Sequence, residues 1–426
     1  MPKQPIPGSK EQYALVVFDS DGRERLEQNG LLSDALLASD APTPTDIFFE
    51  IHGWKGDMPA AKDQYDRWFG ALAASGSRSL LEAKRPDGFR PLWIGLHWPS
   101  LPWGDEEIGA ASFTTDTVDR LVDAYVGRLG ERPGLRDALA TIIRHAQTDT
   151  SPPVLPPEVR QAYDRLDALL TELPADGPEA PPGDDNPPFD AEASYQLLRA
   201  EPAAFGALDL GGLLGPLRQL SFWKMKERGR SVGEAGFHPF IARMSARFPG
   251  ARLHLIGHSF GCIAASAAVA GPPNATVNRV ASLVLLQGAL SLWAYCPKMP
   301  FGSGKAGYFN RLFAQHAVTG PVVTTRSRFD RAVGSFYPLG AHAAGQVEFG
   351  VDLPRYGAVG AFGAQGLADA VNQPILAAGM PYAFAPGSVF NVEASDAIKD
   401  GGGLSGAHSD IDGPEIAHLV WSAVAV

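Results

Sequence analysis

Leu253-His254-Leu255-Ile256-Gly257-His258-Ser259-Phe260-Gly261 runs straight into the small-residue segment Cys262 to Ala270. The apolar run ahead of Gly257 has the composition of a strand, and the Ala-rich run behind Gly261 that of a helix. A strand that turns directly into a helix must bend sharply. Glycines two before and two after Ser259 remove the Cβ atoms that would collide in that bend. The turn then holds the serine hydroxyl clear of the backbone, and the helix behind it directs N–H groups and a positive dipole end at any developing oxyanion. Ser259 is therefore the expected nucleophile, with the Phe260 amide as first donor. A chance G-x-S-x-G in a chain holding 47 glycines is the plain alternative; the strand before and the helix after argue against it.

Working outward, short runs rich in β-branched and aromatic residues recur at Tyr13 to Phe18, Asp46 to Ile51, Pro91 to His97, Arg252 to Ile256, Ala281 to Leu286, Pro321 to Thr325 and Ser388 to Val392. Helix-length segments separate most of them, the pattern of an α/β chain with a mostly parallel central sheet flanked by helices. Nearly every run ends in a glycine, histidine or acidic residue. In open α/β sheets the loops beyond the carboxyl ends of strands are where chemistry is built.

Between the third and fourth runs lie roughly 150 residues, far more than one crossover helix needs. Val118, Leu121, Val122, Tyr125, Val126 and Leu129 recur at helical spacing, as do Val159, Tyr163, Leu166, Leu169, Leu170 and Leu173. Pro133 is placed to open a further helix through Ile143. The expected division is a core of residues 1–104 and 216–426 with a helical insertion at 105–215. Within it, Pro174 to Pro188 reads as an exposed, proline-broken acidic linker. Pro216 to Phe248, broken at Gly233 to Gly236, reads as the crossover back into the sheet.

A serine is a weak nucleophile without a base to accept its proton and an acid to fix that base's tautomer. His408 lies in the Gly-rich stretch Gly401 to Asp410, after the last strand and before the final helix, and is the expected base. His418 falls within that helix as a packing residue, and His258 is locked beside the serine with its side chain directed away. His145, His238, His316 and His342 offer no argument beyond surface or core service. Asp330, just past the strand Pro321 to Thr325, is the expected acid, giving the chain order Ser, Asp, His. Its plain alternative is a helix cap or a salt bridge between Arg328 and Arg331. Asp396 is the other candidate acid.

A second oxyanion donor should come from the loop after an early strand. Phe48-Phe49-Glu50-Ile51-His52-Gly53-Trp54 ends a strand in His-Gly-Trp, so the Trp54 amide is the candidate, with His52 bracing the loop. Trp54, Trp98 and Trp103 all stand just beyond strand ends, suited either to an apolar acyl pocket or to the core.

With His-Gly-x, Gly-His-Ser-x-Gly, a late Asp and a Gly-rich His loop in view, the chain resembles the α/β-hydrolase superfamily, particularly its bacterial lipase- and esterase-like members. Phe222 to Arg228 and His408 to Ile411 also look like a bacterial subgroup of it. The resemblance covers the core, about two-thirds of the chain, and implies an α/β-hydrolase fold in which the helical insertion serves as a lid or cap.

Composition narrows the remaining classes. A net charge of -11 works against binding a phosphate backbone, so nucleic acid is not an expected partner. Cys262 and Cys296 alone cannot build a disulfide framework or a zinc site. No metal or cofactor is expected. The segment Met1 to Lys10 lacks the apolar core of a secretory signal and no later run approaches a membrane span, so a soluble, cytoplasmic chain is expected. Gly302-Ser303-Gly304-Lys305 imitates a phosphate loop, but Met299 and Ala306 stand where glycine and a magnesium-binding hydroxyl belong. Gly357, Gly360, Gly363 and Gly366 lack the preceding strand of a dinucleotide fingerprint and read as a loop bordering the active site. Cys262 reads as a packed residue behind the turn. The resulting expectation is a serine hydrolase that cleaves a carboxylic ester of a small-molecule or lipid acyl substrate through an acyl-enzyme on Ser259. Thioesterase, amidase, peptidase and acyltransferase chemistry would use the same triad. The rival of another class is a binding protein built on the same fold.

Overall fold

The computed structural model describes residues 3–38, 41–53, 58–100, 115–149, 151–170, 179–199, 211–301, 304–335, 353–402 and 405–426. Its centre is a nine-stranded sheet. The strands are β1 (Lys3–Pro5), β2 (Gln12–Val17), β3 (Asp46–Ile51), β4 (Pro91–His97), β5 (Arg252–His258), β6 (Ser282–Leu286), β7 (Val322–Arg326), β8 (Val371–Pro374) and β9 (Val389–Glu393). They lie in the order β1-β2-β4-β3-β5-β6-β7-β9-β8. Among the described strands, only the β1–β2 pair is antiparallel and the other pairs are parallel. The expected α/β class with a mostly parallel sheet is what the chain adopts.

The interior strands are apolar on both faces because both faces are covered. Ile47, Phe49 and Ile51 of β3 pack into one layer of core with Leu253 and Leu255 of β5. Phe48 faces the opposite layer with Trp93 and Trp421. The latter layer is closed by helix α1 (Met58–Ala74) and the C-terminal helix, whose Trp421 indole donates to the Leu72 carbonyl at 3.0 Å. The two strands not foreseen, β1 and β8, are the sheet's edges. Each is only three or four residues long and holds a proline, and neither buries an apolar run that would announce it.

The segment between β4 and β5 is helical. It contains α2 (Thr115–Leu129), α3 (Leu135–Thr148), α4 (Pro157–Leu170), α5 (Ala191–Arg199) and α6 (Gly211–Val232). These helices share an apolar cluster of their own, built around Tyr125, Ile142, Tyr163, Tyr195 and Leu217. Helix α6 belongs to two clusters: Leu213, Leu214, Leu217 and Leu220 face the insertion, whereas Phe222, Met225 and Val232 join the layer against the sheet. The expected border at 215/216 thus falls inside one continuous helix. Pro133 does not open α3; the helix starts at Leu135, behind Gly134 at φ 85°. The later part of the acidic linker is partly packed, for Asp185 and Asn186 are buried and both meet the buried Lys226 of α6.

Helix α6 continues through a π-helical turn, Gly233–Phe237, into α7 (His238–Arg247), which leads to β5. Beyond β5 comes α8 (Gly261–Ala270), buried at every position. Its alanines let a helix sit that close to the sheet on one side and to α6 and α7 on the other. No helix among the described residues is long and apolar enough to cross a membrane.

Candidate active site

In the order β4-β3-β5-β6 the chain leaves β3 towards β4 and leaves β5 towards β6, in opposite directions, which is the kind of switch that opens a crevice beyond the carboxyl ends of β3 and β5. Ser259 stands at the end of β5, in the step to α8. Its φ is 56°, in the left-handed region that costs a side-chain-bearing residue about 1–2 kcal/mol. The turn is held in that shape by its neighbours. The Ser259 amide donates to the Leu286 carbonyl at 3.0 Å, and its carbonyl accepts from Cys262 and Ala289, both at 3.1 Å. Phe260 lies at the start of α8 (φ −63°, ψ −21°), with its amide in the helix's first turn.

Close packing explains the glycines around it. A Cβ on Gly261 would lie 2.1 Å from the Ile51 carbonyl oxygen, and one on Gly53 would lie 2.5 Å from the Cβ of Ser259. The His52-Gly53 end of β3 therefore rests directly on the serine turn. That end is rigid. His52 is fully enclosed; its Nδ1–H donates to the Gly53 carbonyl at 2.9 Å, and its Nε2 accepts from His97 Nδ1 at 2.9 Å and from the Trp98 amide at 3.3 Å. Ser100 Oγ adds a second donor to the Gly53 carbonyl at 2.7 Å. Burial, then the neighbouring His97, pull the His52 pKa down to about 3, so the ring stays neutral. Trp98 stacks on His52 at 5.9 Å and donates its indole N–H to the His52 carbonyl, and so is part of the brace rather than of an acyl pocket. Trp54, the expected second oxyanion donor, and Trp103 lie outside the described residues.

Asp330 and His408 meet across 78 residues of sequence. His408 Nδ1 donates to Asp330 Oδ2 at 2.7 Å, and both side chains are buried at the 10 % level or below. Pairing through Nδ1 leaves Nε2 as the basic nitrogen of a neutral ring. The backbone holds the two segments in register: Asp330 bridges Gly406, and the Ala407 amide donates to the Phe329 carbonyl at 2.9 Å. Asp330 Oδ1 accepts from the Val333 amide at 3.3 Å, so the carboxylate also caps the turn after it. Asp396, the other candidate, is exposed.

The His408 loop is tied to the serine turn by His258. Its Nε2 donates to the His408 carbonyl at 2.8 Å, and the two rings lie 4.8 Å apart. Burial, then the adjacent His408, push the His258 pKa well below its usual value, which keeps it a neutral strut. His418 is occupied elsewhere, between Ser77 Oγ at 2.7 Å and the Met380 carbonyl at 2.6 Å. Cys262 is sealed behind the turn with its thiol against the Gly257 carbonyl, and burial raises its pKa well above the usual range.

Sequence reasoning missed Gln287. It follows β6 as Ser259 follows β5, is fully buried, and sends Nε2 to Asp330 Oδ2 at 2.8 Å. The available signal was a polar residue and a glycine directly after the apolar run Ser282–Leu286.

The structure thus joins His408 to Asp330 directly and ties the His408 loop to the Ser259 turn through His258, with Phe260 at the head of α8. No protein-family model, no curated protein and no solved structure matches this chain.

Proposed function

We propose that this chain is a serine hydrolase of the α/β-hydrolase type that cleaves a carboxylic ester through an acyl-enzyme on Ser259. The observation that carries the reading is the joint arrangement of two features. One is a serine held at φ 56° between a parallel strand and a buried helix; the other is a buried His408–Asp330 pair, 2.7 Å apart and strapped to that turn through His258. A strained serine costs stability, and such strain persists where the surroundings over-determine it. The strand order, with its antiparallel first pair and its β4-β3-β5 switch, supports the same reading, as does the chain order Ser, Asp, His.

In the proposed mechanism the Ser259 hydroxyl attacks the ester carbonyl while His408 Nε2 takes its proton. Asp330 stabilises the imidazolium that results and fixes the ring through Nδ1. The Phe260 amide, at the positive end of α8, donates to the tetrahedral oxyanion, with the Trp54 amide as the second donor. Collapse of the intermediate expels the alcohol, which receives the proton from His408. Water, activated by the same nitrogen, then releases the acid and restores the serine. The insertion at 105–215, with helices α2 to α5, acts in this reading as a cap over the site.

The test is covalent. Incubation with a fluorophosphonate should add a single adduct to the wild type and none to Ser259→Ala, and an activated ester should be turned over only by the wild type. A wild-type protein that neither labels nor turns over ester would favour a binding protein on the same fold.

A further inference from the structure

We infer that Gln287 is a positioning residue for the proposed triad, which holds the Asp330 carboxylate where His408 needs it; the inference rests on the serine hydrolase reading above. Its side chain is fully buried at the carboxyl end of β6, beside the strand that delivers Ser259. Its backbone sits at φ 47°, so two non-glycine residues on adjacent strands, Ser259 and Gln287, both adopt the left-handed conformation just past their strand ends. They are joined. The Ser259 amide bonds to the carbonyl of Leu286, one residue before Gln287, and Ala289, two residues after it, donates to the Ser259 carbonyl. Strain of this kind, repeated and cross-linked at one edge of a sheet, marks a place that the surrounding structure pins for a purpose other than stability.

The hydrogen bonds show what is pinned. Thr325 Oγ1 donates to Gln287 Oε1 at 3.0 Å, and the same hydroxyl oxygen accepts the Gln287 backbone amide at 2.9 Å. With the carbonyl end of the side chain fixed by Thr325, the NH2 end must face Asp330, and the distance from Nε2 to Oδ2 is 2.8 Å. A reversed amide would set oxygen against oxygen. The oxygen that accepts from Gln287 is the one that accepts His408 Nδ1. Oδ2 therefore receives two donors while Oδ1 faces the Val333 amide at 3.3 Å. The loop around Gly360 closes over this junction, with the Gly360 amide on the Gly288 carbonyl at 2.9 Å and the Ser327 amide on the Gly360 carbonyl at 3.2 Å.

The chemical consequence is directional. A carboxylate can turn about its Cβ–Cγ bond, and the Nδ1 bond orients the imidazole only while that rotation is blocked. Gln287, bonded to the same oxygen as His408, opposes that rotation. It also supplies a second N–H to the oxygen that accepts from His408 Nδ1. Loss of the donor should lower kcat and leave KM nearly unchanged, because Gln287 acts through Asp330 and does not touch substrate.

The experiment compares wild type, Gln287→Met, which keeps the length and removes the donor, and Thr325→Val, which frees the amide to turn. Rates of fluorophosphonate adduct formation and of activated-ester turnover are measured with unfolding curves and the downfield proton spectrum. The His408 Nδ1–H resonance is identified by its loss in His408→Ala. The expected result is a fall of about 10- to 100-fold in labelling rate and kcat for Gln287→Met, a smaller fall for Thr325→Val, and displacement of the Nδ1–H resonance in both. If Gln287→Met does not fold, Thr325→Val carries the test by the same readouts. A wild type that labels at Ser259, with variants that label equally fast and keep the resonance in place, overturns the role of Gln287 and leaves the hydrolase reading standing. A wild type that does not label overturns both.

Discussion

The Nε2 of His258 lies 2.8 Å from the backbone oxygen of His408, so the residue next to the candidate nucleophile carries the loop of its candidate base. The other side of the His258 ring meets Gln64 Nε2 at 3.4 Å and the edge of Trp68. Replacing His258 by Phe should keep the ring packed while releasing the loop. The expected outcome is a stable protein whose ester turnover falls about tenfold or more. Steady-state kinetics alongside thermal unfolding would check this, and unchanged kcat would show that the loop holds its place without the strut.

Gly53 is a position where one added methyl group would press on the serine turn itself. In Gly53→Ala the new Cβ would meet the Ser259 Cβ at 2.5 Å and the His258 carbonyl at 2.9 Å, neither of which can swing aside as a flexible side-chain end would. Overpacking of this kind costs about 1–3 kcal/mol. Because the strain falls on the serine turn itself, fluorophosphonate labelling should drop by a larger factor than stability implies. Denaturant unfolding and labelling rates, measured on the same preparation, give both quantities.

Glu50 should make the protein less stable as pH rises. It lies on β3 two residues before His52, fully buried, with neither carboxyl oxygen partnered, beside a cavity of about 10 Å³. Burial raises its pKa well above the ordinary 4.5. The folded state therefore holds a proton that the unfolded chain releases above pH 4.5, and stability drains away as pH climbs through that window. Glu50→Gln removes this titration. The stability difference between Glu50→Gln and wild type should move in favour of the variant from pH 5 to pH 8, about the range over which urea unfolding is readily followed; a constant difference would refute it.

His52 acts in the opposite direction at lower pH. Its folded pKa of about 3 lies below the ordinary 6.5, so between these values the unfolded chain binds a proton that the folded chain refuses. Stability from this group is full above pH 6.5 and is lost as pH falls towards 3. His254 and His258 are buried with lowered values as well and steepen the loss. A thermal unfolding series from pH 7 down to pH 4 should therefore show a falling midpoint, about the acid arm expected of buried neutral histidines. A flat profile would refute it.

Lys226 of α6 is wholly buried and pairs with the buried Asp185 at 2.5 Å and with Asn186 at 2.9 Å. Lys226→Met would strand the carboxylate and should cost about 3–5 kcal/mol. Adding Asp185→Leu to that change should recover much of the loss, since a matched apolar pair has no charge to desolvate. A double-mutant cycle by chemical denaturation measures both.

The sequence by itself determined the sheet interior and the serine turn. The runs at Asp46 to Ile51 and Pro91 to His97 form strands with those bounds because strands buried on both faces are mostly apolar, a local signal. Ser259 was legible for a similar reason: the bend demands glycines at fixed offsets, and those demands are written within nine residues. The pairing of Asp330 with His408 was inferred from their places after the last two strands then expected, and is a contact across 78 residues, which the backbone register of Phe329 with Ala407 creates. What only the tertiary structure decided lies at such long range. The edge strands β1 and β8 exist because β2 and β9 offer open hydrogen-bonding edges, not because their own residues ask for it. Asp185 and Asn186 looked like solvated linker residues until Lys226 required a buried counter-charge. Gln287 carries no motif at all; its amide gains meaning from Thr325 on one side and Asp330 on the other, and those lie on a neighbouring strand and its loop. A polar side chain's partners are set by packing between distant segments, and no local pattern records them.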